Sequence, residues 1–234
     1  MNLRNAGVLI TGGSSGIGYA IAQTLAAAGA RVAITGRNQA RLMEAARTLN
    51  VHPIHADVSL EADVERTYRE FLAQFGRLDV LVNNAGSGAF KKLVDLSLDE
   101  FQRTFATNVQ GAMLMARAAA RLFAAQDSGN IVNIGSTASH RGAPQGTAYY
   151  ASKFALRGMT ECWRAELRAS NVRVMLVNPS EVLTNFGVVA GFDQKVNDTK
   201  LRGEEIAHAV KSILEMDDRG FTTEVTVFAT NPKD

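Results

Sequence analysis

Thr11-Gly12-Gly13-Ser14-Ser15-Gly16-Ile17-Gly18 follows directly on the apolar run Gly7-Val8-Leu9-Ile10 and leads into a segment where Ile21, Leu25 and Ala28 recur at helical spacing. An apolar run, a glycine turn and an amphipathic stretch in succession spell strand, tight turn and helix. Glycines permit the turn, let the backbone approach a bound group and let the helix pack closely on the strand. The amides and dipole at the start of such a helix attract an anion, so the loop suits a pyrophosphate.

The same alternation continues along the chain. With residues 7–11, the short runs 31–35, 52–55, 80–83, 131–135, 173–177 and 225–228 make seven expected strands. Val, Ile and Leu dominate most of them with little polar alternation, the pattern of parallel strands covered on both faces. Pro53 cannot donate to a ladder, which puts the third strand at an edge. Helical periodicity fills the gaps. Gly29 closes the first helix, Asn38 caps a second, and a third opens at Ser59 or Leu60 and stops at Gly76. Ser97 with Glu100 is a capping box for a long helix to about residue 126; two more span 148–169 and 203–216. Strands alternating with helices predict an α/β fold, a doubly wound, mostly parallel seven-stranded sheet with helices on both faces. No linker or repeat interrupts it, so residues 1–234 read as one domain.

Composition narrows the function. Hydrophobic residues make up 46% and charged ones 21%, ordinary for a soluble globular chain. A formal charge of +2 gives no reason to expect a nucleic-acid or membrane partner. The N-terminus lacks a signal-peptide pattern and no apolar run is long enough to span a bilayer, so the expected setting is cytoplasmic. Cys162 is the single cysteine, excludes an internal disulfide and reads as a packing thiol. His52, His55 and His208 lack ligating company, and no metal site is expected.

A chemical centre is suggested by Tyr149 and Lys153, four residues apart in an expected helix, with Ser136 thirteen residues upstream of the tyrosine. The spacing puts a phenol and an ammonium on one helix face. A free tyrosine titrates near pH 10, and a fixed positive charge beside it favours phenolate at about 1.4 kcal/mol per pKa unit. The pair therefore reads as a proton donor and acceptor of the kind a carbonyl reduction or alcohol oxidation requires. Tyr150, three residues before Lys153, is the competing assignment.

The loop spacing T-G-x-x-x-G-x-G, Asp57-Val58, Asn83-Asn84-Ala85-Gly86, Asn108, Ser136, Tyr149 with Lys153, and Asn178-Pro179 through Thr184 together resemble the short-chain dehydrogenase/reductase family, including its 3-oxoacyl-[acyl-carrier-protein] reductase-like members. The resemblance covers nearly the whole chain and implies a Rossmann-type dinucleotide fold. By it, Tyr149 rather than Tyr150 protonates the substrate oxygen, Lys153 binds the nicotinamide ribose and lowers the tyrosine pKa, and Ser136 orients the carbonyl. Asn108 bends its helix and helps hold a water that links Lys153 to solvent. Gly12, Ser14, Ser15, Gly16, Ile17 and Gly18 would cradle the cofactor, with Asp57, Val58, Asn84, Ala85, Gly86, Pro179, Val182 and Thr184 lining its path. The loop 137–146 would line the substrate pocket, making His140 and Gln145 substrate-binding candidates beside Ser136 and Tyr149.

The second strand ends in Ile34-Thr35-Gly36-Arg37. A carboxylate there commonly takes the ribose hydroxyls of NAD, whereas arginine accommodates the 2′-phosphate of NADP. Arg37, aided by Arg41, makes NADPH/NADP the expected cofactor over NADH. Ser15 departs from members that carry a second basic residue in the loop. Ser180 stands where the family often has glycine, and Glu181 beside it has no assigned role. Residues 185–200 are expected to form a substrate lid. The last strand, at residues 224–228, could form an edge that pairs across a subunit interface. Small residues such as Ala112, Ala116, Ala119 and Ala165 would permit the close helix pairing of a homodimer or homotetramer. The expected reaction is NADPH-dependent reduction of a small-molecule or carrier-bound ketone, a 3-oxoacyl thioester being the best single substrate. The alternatives are an NAD-dependent alcohol dehydrogenase and a non-catalytic dinucleotide-binding regulator.

Overall fold

Four strands, β1 (Gly7–Ile10), β4 (Val80–Asn83), β5 (Gly129–Ile134) and β6 (Val172–Pro179), are buried along their whole length. That is why their sequences show no alternation: both faces of the sheet are apolar and both are covered. The computed structural model describes residues 1–184, 186 and 199–231. Its seven strands, with β2 (Arg31–Gly36), β3 (His52–His55) and β7 (Glu224–Val227), pair in the order β3-β2-β1-β4-β5-β6-β7. Every pair is parallel, so the mostly parallel sheet expected from sequence is fully parallel.

Successive residues of one strand serve opposite layers. Val8 and Ile10 pack with Ile21, Leu25 and Leu42 from α1 (Gly16–Ala27) and α2 (Gln39–Leu49), and with Ile206, Val210 and Ile213 from a helix at Gly203–Glu215. Leu9 and Leu81 face Phe71 of α3 (Glu61–Phe75) and Met115 and Phe123 of a helix at Ala112–Gln126. Phe71 and Phe123 are fully buried; truncating either to alanine would cost about 3–5 kcal/mol.

Local signals place the helix ends. The Asn38 side chain accepts the Arg41 amide at 2.9 Å, and Gly76 closes α3 with φ +75°. Ser97 and Glu100 form the expected capping box at the start of α4 (Leu98–Phe105). The long helix expected from there to about residue 126 is interrupted. A π-helical turn at Ala106–Gly111 separates α4 from α5 (Ala112–Gln126). The turn carries Asn108, and a Cβ on Gly111 would collide with the Val58 side chain, so the glycine allows this segment to sit against the residues after β3. Two further helices among the described residues are α6 (Thr147–Leu167) and α7 (Gly203–Glu215).

β3, with Pro53, occupies one edge of the sheet and β7 the other. From β1 the chain builds outward first through β2 to β3 and then, on the other side, through β4 to β7. The reversal leaves a crevice beyond the carboxyl ends of β1 and β4, where ligands bind in such sheets. The glycine loop follows β1, Asn84 follows β4, and Ser136 follows β5. The expected lid at 185–200 lies outside the described residues except for Phe186, Thr199 and Lys200. Among the described residues no helix is long and apolar enough to cross a membrane.

Candidate active site

The glycine loop is held by Asn84. Its amide donates to the carbonyls of Thr11 (2.9 Å) and Gly12 (3.2 Å), while the Thr11 hydroxyl accepts the amides of Asn84 and Ala85, each at 3.0 Å. Gly12 has φ +65° and Gly16 φ +56°, conformations that L side chains rarely adopt. Ser15, at the N-cap of α1, makes no side-chain cap, and the first turn holds no acidic residue. The helix N-terminus is therefore left to attract a phosphate.

A cleft of about 400 Å³ opens over this loop and runs across the carboxyl ends of the central strands. Gly12, Ser14, Ser15, Gly16, Ile17, Arg37, Asp57, Val58, Asn84, Ala85, Gly86, Ser136, Tyr149, Lys153, Pro179, Val182 and Thr184 all line it. Gly18 does not; it packs beneath the loop, where a Cβ would lie 2.5 Å from the Gly12 carbonyl oxygen. Arg37 is 62% exposed at one end, with its guanidinium 3.8 Å from the Asp57 carboxylate, and Arg41 lines the same end. The donor set fits a dinucleotide: amides and a helix dipole for the pyrophosphate, and Arg37 with Arg41 for charge at the ribose end.

At the other end Ser136, Tyr149 and Lys153 come together. Ser136 lies two residues past the end of β5 and caps a 3₁₀ turn at Thr137–Ser139, its hydroxyl accepting the Ala138 amide at 3.1 Å. Tyr149 and Lys153 are one turn apart on α6, with the Lys153 Nζ 5.7 Å from the Tyr149 ring centre. That Nζ donates to the Ile134 carbonyl at 2.8 Å. Burial lowers Lys153 to about 8. It also pushes Tyr149 up to about 12, against a hydrogen bond with Ser136 that lowers it. The expected lowering of the tyrosine therefore does not appear in the chain by itself: loss of solvation outweighs the Ser136 hydrogen bond.

Asn108 lies behind the pair rather than in the cleft. Its Oδ1 accepts the Ser87 amide at 2.8 Å, and its Nδ2 donates to the Ser87 carbonyl (2.8 Å) and the Ser152 hydroxyl (2.9 Å). Ser152 in turn donates to the Tyr149 carbonyl at 2.7 Å. Asn108 thus ties the π turn to the helix that carries Tyr149. Nothing singled out Ser152 or Ser87 beforehand, although Ser152 directly precedes Lys153.

Two substrate-binding candidates lie off the lining of this cleft, and the cysteine is not packed. His140 does not line the cleft: its Nε2 lies 2.8 Å from a Glu224 carboxylate oxygen on the edge strand. Gln145 does not line it either; it is exposed with φ +65° in the turn before α6. Cys162 is exposed on α6 rather than packed. Tyr150 is also outside the cleft, packed so closely on Gly146 that a Cβ there would collide with its ring. Ser180 does line the cleft without requiring positive φ, and its amide donates to Val227 at 2.9 Å. Glu181 pairs with Lys200 at 2.8 Å. Aromatic rings, which the sequence reading passed over, flank the tyrosine: Phe90 and Phe186 lie 5.3 and 5.4 Å from the Tyr149 ring centre.

Comparison with known proteins agrees with this geometry. The family model for short chain dehydrogenase matches residues 6–193. An uncharacterized oxidoreductase of Staphylococcus epidermidis is 30% identical over 221 residues, covering 94% of this chain and 95% of the relative. The crystal structure of 3-ketoacyl-(acyl-carrier-protein) reductase from Brucella melitensis complexed with NADH superposes with a TM-score of 0.91 at 29% identity, covering 97% of this chain and 98% of that one. An alcohol dehydrogenase from the archaeon Thermococcus sibiricus, complexed with 5-hydroxy-NADP, gives a TM-score of 0.88 at 31% identity over 97% and 98% of the two chains. The chain belongs to the short-chain dehydrogenase family and is an NAD(P)-dependent oxidoreductase with its Rossmann-type sheet.

Proposed function

We propose that this oxidoreductase uses NADPH to reduce a ketone to a secondary alcohol, with Tyr149 giving the proton to the substrate oxygen. The observation that carries this reading is the meeting of Ser136, Tyr149 and Lys153 at one end of a cleft whose other end holds the glycine loop and Arg37. The bound nicotinamide supplies the hydride. Ser136 holds the carbonyl oxygen and steadies the charge that grows on it. Tyr149, protonated near neutrality, donates as the alkoxide forms, a contribution of roughly 10²–10⁴ in rate. Lys153 holds the ribose hydroxyls and, with its pKa near 8, can pass on a proton near neutrality.

NADPH is favoured over NADH because Gly36 removes the carboxylate expected for a free ribose and Arg37 offers a planar cation instead. Asp57, 3.8 Å from Arg37, offsets part of that charge. The preferred substrate is a 3-oxoacyl thioester, small or carrier-bound, a reading supported by the likeness to the ketoacyl reductase. A cytoplasmic homodimer or homotetramer, without nucleic-acid or membrane partners, completes the proposal.

The test is oxidation of NADPH and NADH over a panel of 3-oxoacyl thioesters, sugars, steroids, quinones and small diketones. Turnover of a ketone with NADPH preferred is the expected result. Faster use of NADH would reverse the cofactor assignment. Tight cofactor binding without turnover of any substrate would replace a reductase with a dinucleotide-binding regulator.

A further inference from the structure

Asn178 is fully buried near the end of β6, and its Oδ1 accepts the backbone N–H of Ser136 at 3.2 Å. Gly135 makes room for that oxygen; a Cβ there would collide with it. An asparagine amide is an acceptor on one side and a donor on the other, and a half-turn exchanges them. The orientation of Asn178 is set from its far side, where Nδ2 donates to Oε1 of Glu224 at 2.7 Å. A carboxylate only accepts, so a flipped amide would put oxygen against oxygen and nitrogen against the Ser136 N–H. Glu224 therefore selects the orientation that holds Ser136.

Glu224 has two further charged or polar neighbours. It opens β7 with its side chain 26% exposed; His140 Nε2 meets Oε1 at 2.8 Å and Arg157 Nε lies 3.5 Å from Oε2. His140 Nε2 also lies 3.2 Å from Asn178 Nδ2, the longer of that nitrogen's two contacts; with its proton on Nε2, His140 donates to the same carboxylate oxygen as Asn178. Arg157 sits one turn beyond Lys153 on α6. The cluster thus joins the edge strand, the turn after Ser136 and the helix bearing Tyr149 through side chains far apart in sequence.

We infer that Glu224 is a positioning residue of the active site, which through the Asn178 side chain fixes the backbone of Ser136 and so the hydroxyl that meets the substrate oxygen. The inference rests on the role given to Ser136 above. The hold is shared, because the Ser139 hydroxyl also accepts the Ser136 amide at 3.2 Å, so its loss loosens the turn without releasing it.

Amide hydrogen exchange at Ser136, followed by NMR, tests the inference without any substrate. Glu224→Ala is expected to speed exchange there by about tenfold, a loss of protection in keeping with one hydrogen bond. Glu224→Gln keeps an accepting oxygen and should restore protection. The double variant Glu224→Ala/Asn178→Ala should exchange no faster than Asn178→Ala alone. Glu224→Asp keeps the charge but withdraws it by one methylene, giving the same reading should the alanine variant fold poorly. With a ketone substrate, kcat should fall about five- to tenfold in Glu224→Ala, with the KM for NADPH unchanged and kcat recovered in Glu224→Gln. Unchanged Ser136 exchange in the alanine and aspartate variants overturns the inference, and so does faster exchange with wild-type kcat. If no ketone is turned over by the wild type, the reductase reading fails, while the exchange experiment still decides whether Glu224 holds Ser136.

Discussion

The ammonium of Lys153 donates to the carbonyl oxygen of Ile134 across 2.8 Å, buried between the end of β5 and the catalytic helix. The contact satisfies the charge only in part, since burial still lowers Lys153 from 10.5 to about 8. Between those values the unfolded chain holds a proton that the folded chain does not. Stability therefore rises with pH from about 8 to 10.5, and the penalty is complete below about 8. Lys153→Met should make the protein more stable at pH 7 by about 2 kcal/mol, after subtracting roughly 1 kcal/mol for the lost hydrogen bond. The advantage should shrink above pH 8 and be gone near pH 10, where the remaining penalty equals the lost hydrogen bond. Urea melts at pH 7 and 10 measure this; a less stable variant at pH 7 contradicts it.

Gly18→Ala forces a methyl to within 2.5 Å of the Gly12 carbonyl oxygen and into the Asn84 side chain that holds the loop. Relief requires the loop to shift as a unit. The expected cost is about 1–3 kcal/mol of stability, a fall in Tm of several degrees, together with loss of dinucleotide binding. Thermal melts with and without NADPH report both: wild-type melts should rise on adding cofactor and variant melts should not.

Arg37→Ala should weaken NADPH binding by about 10- to 100-fold, the worth of a charge-assisted hydrogen bond to phosphate, with little effect on NADH. Fluorescence titration of both cofactors separates the two effects. Equal weakening of both would remove Arg37 from cofactor selection.

Asn108→Ala leaves the amide and carbonyl of Ser87 and the hydroxyl of Ser152 without their buried partner. About 3 kcal/mol of stability should be lost, read from denaturant melts. The Tyr149 backbone, tied through Ser152, should lose amide-exchange protection in the same variant.

The residues that could be read directly are those whose signals are local. The glycine loop, the unbroken Val-Ile-Leu strands, the Asn38 cap and the Ser97–Glu100 box all act within a few positions of themselves. Pro53 marked an edge because a missing N–H is a local property. A bend at Asn108 was expected from the resemblance, but the break into a π turn and the reach of Asn108 to Ser87 and Ser152 are not encoded in the periodicity of the helix. His140 was placed in the substrate pocket by its neighbourhood in the chain, yet its partner is Glu224 on the far edge strand. The Tyr149–Lys153 spacing was legible, but the direction of the tyrosine shift was not, because it depends on burial that many segments create together. Phe90 and Phe186 carried no motif, and only the fold brings them to the tyrosine.

With the smallest change, one oxygen atom, Tyr149→Phe tests whether Tyr149 is the proton donor in a ketone reduction. NADPH oxidation by wild type and variant should be compared on the best ketone of the panel, alongside a fluorescence titration of NADPH. With Tyr149 as the donor, kcat falls by roughly 10²–10⁴ while NADPH binds with unchanged affinity. A variant that reduces the ketone at near wild-type rate would contradict that role.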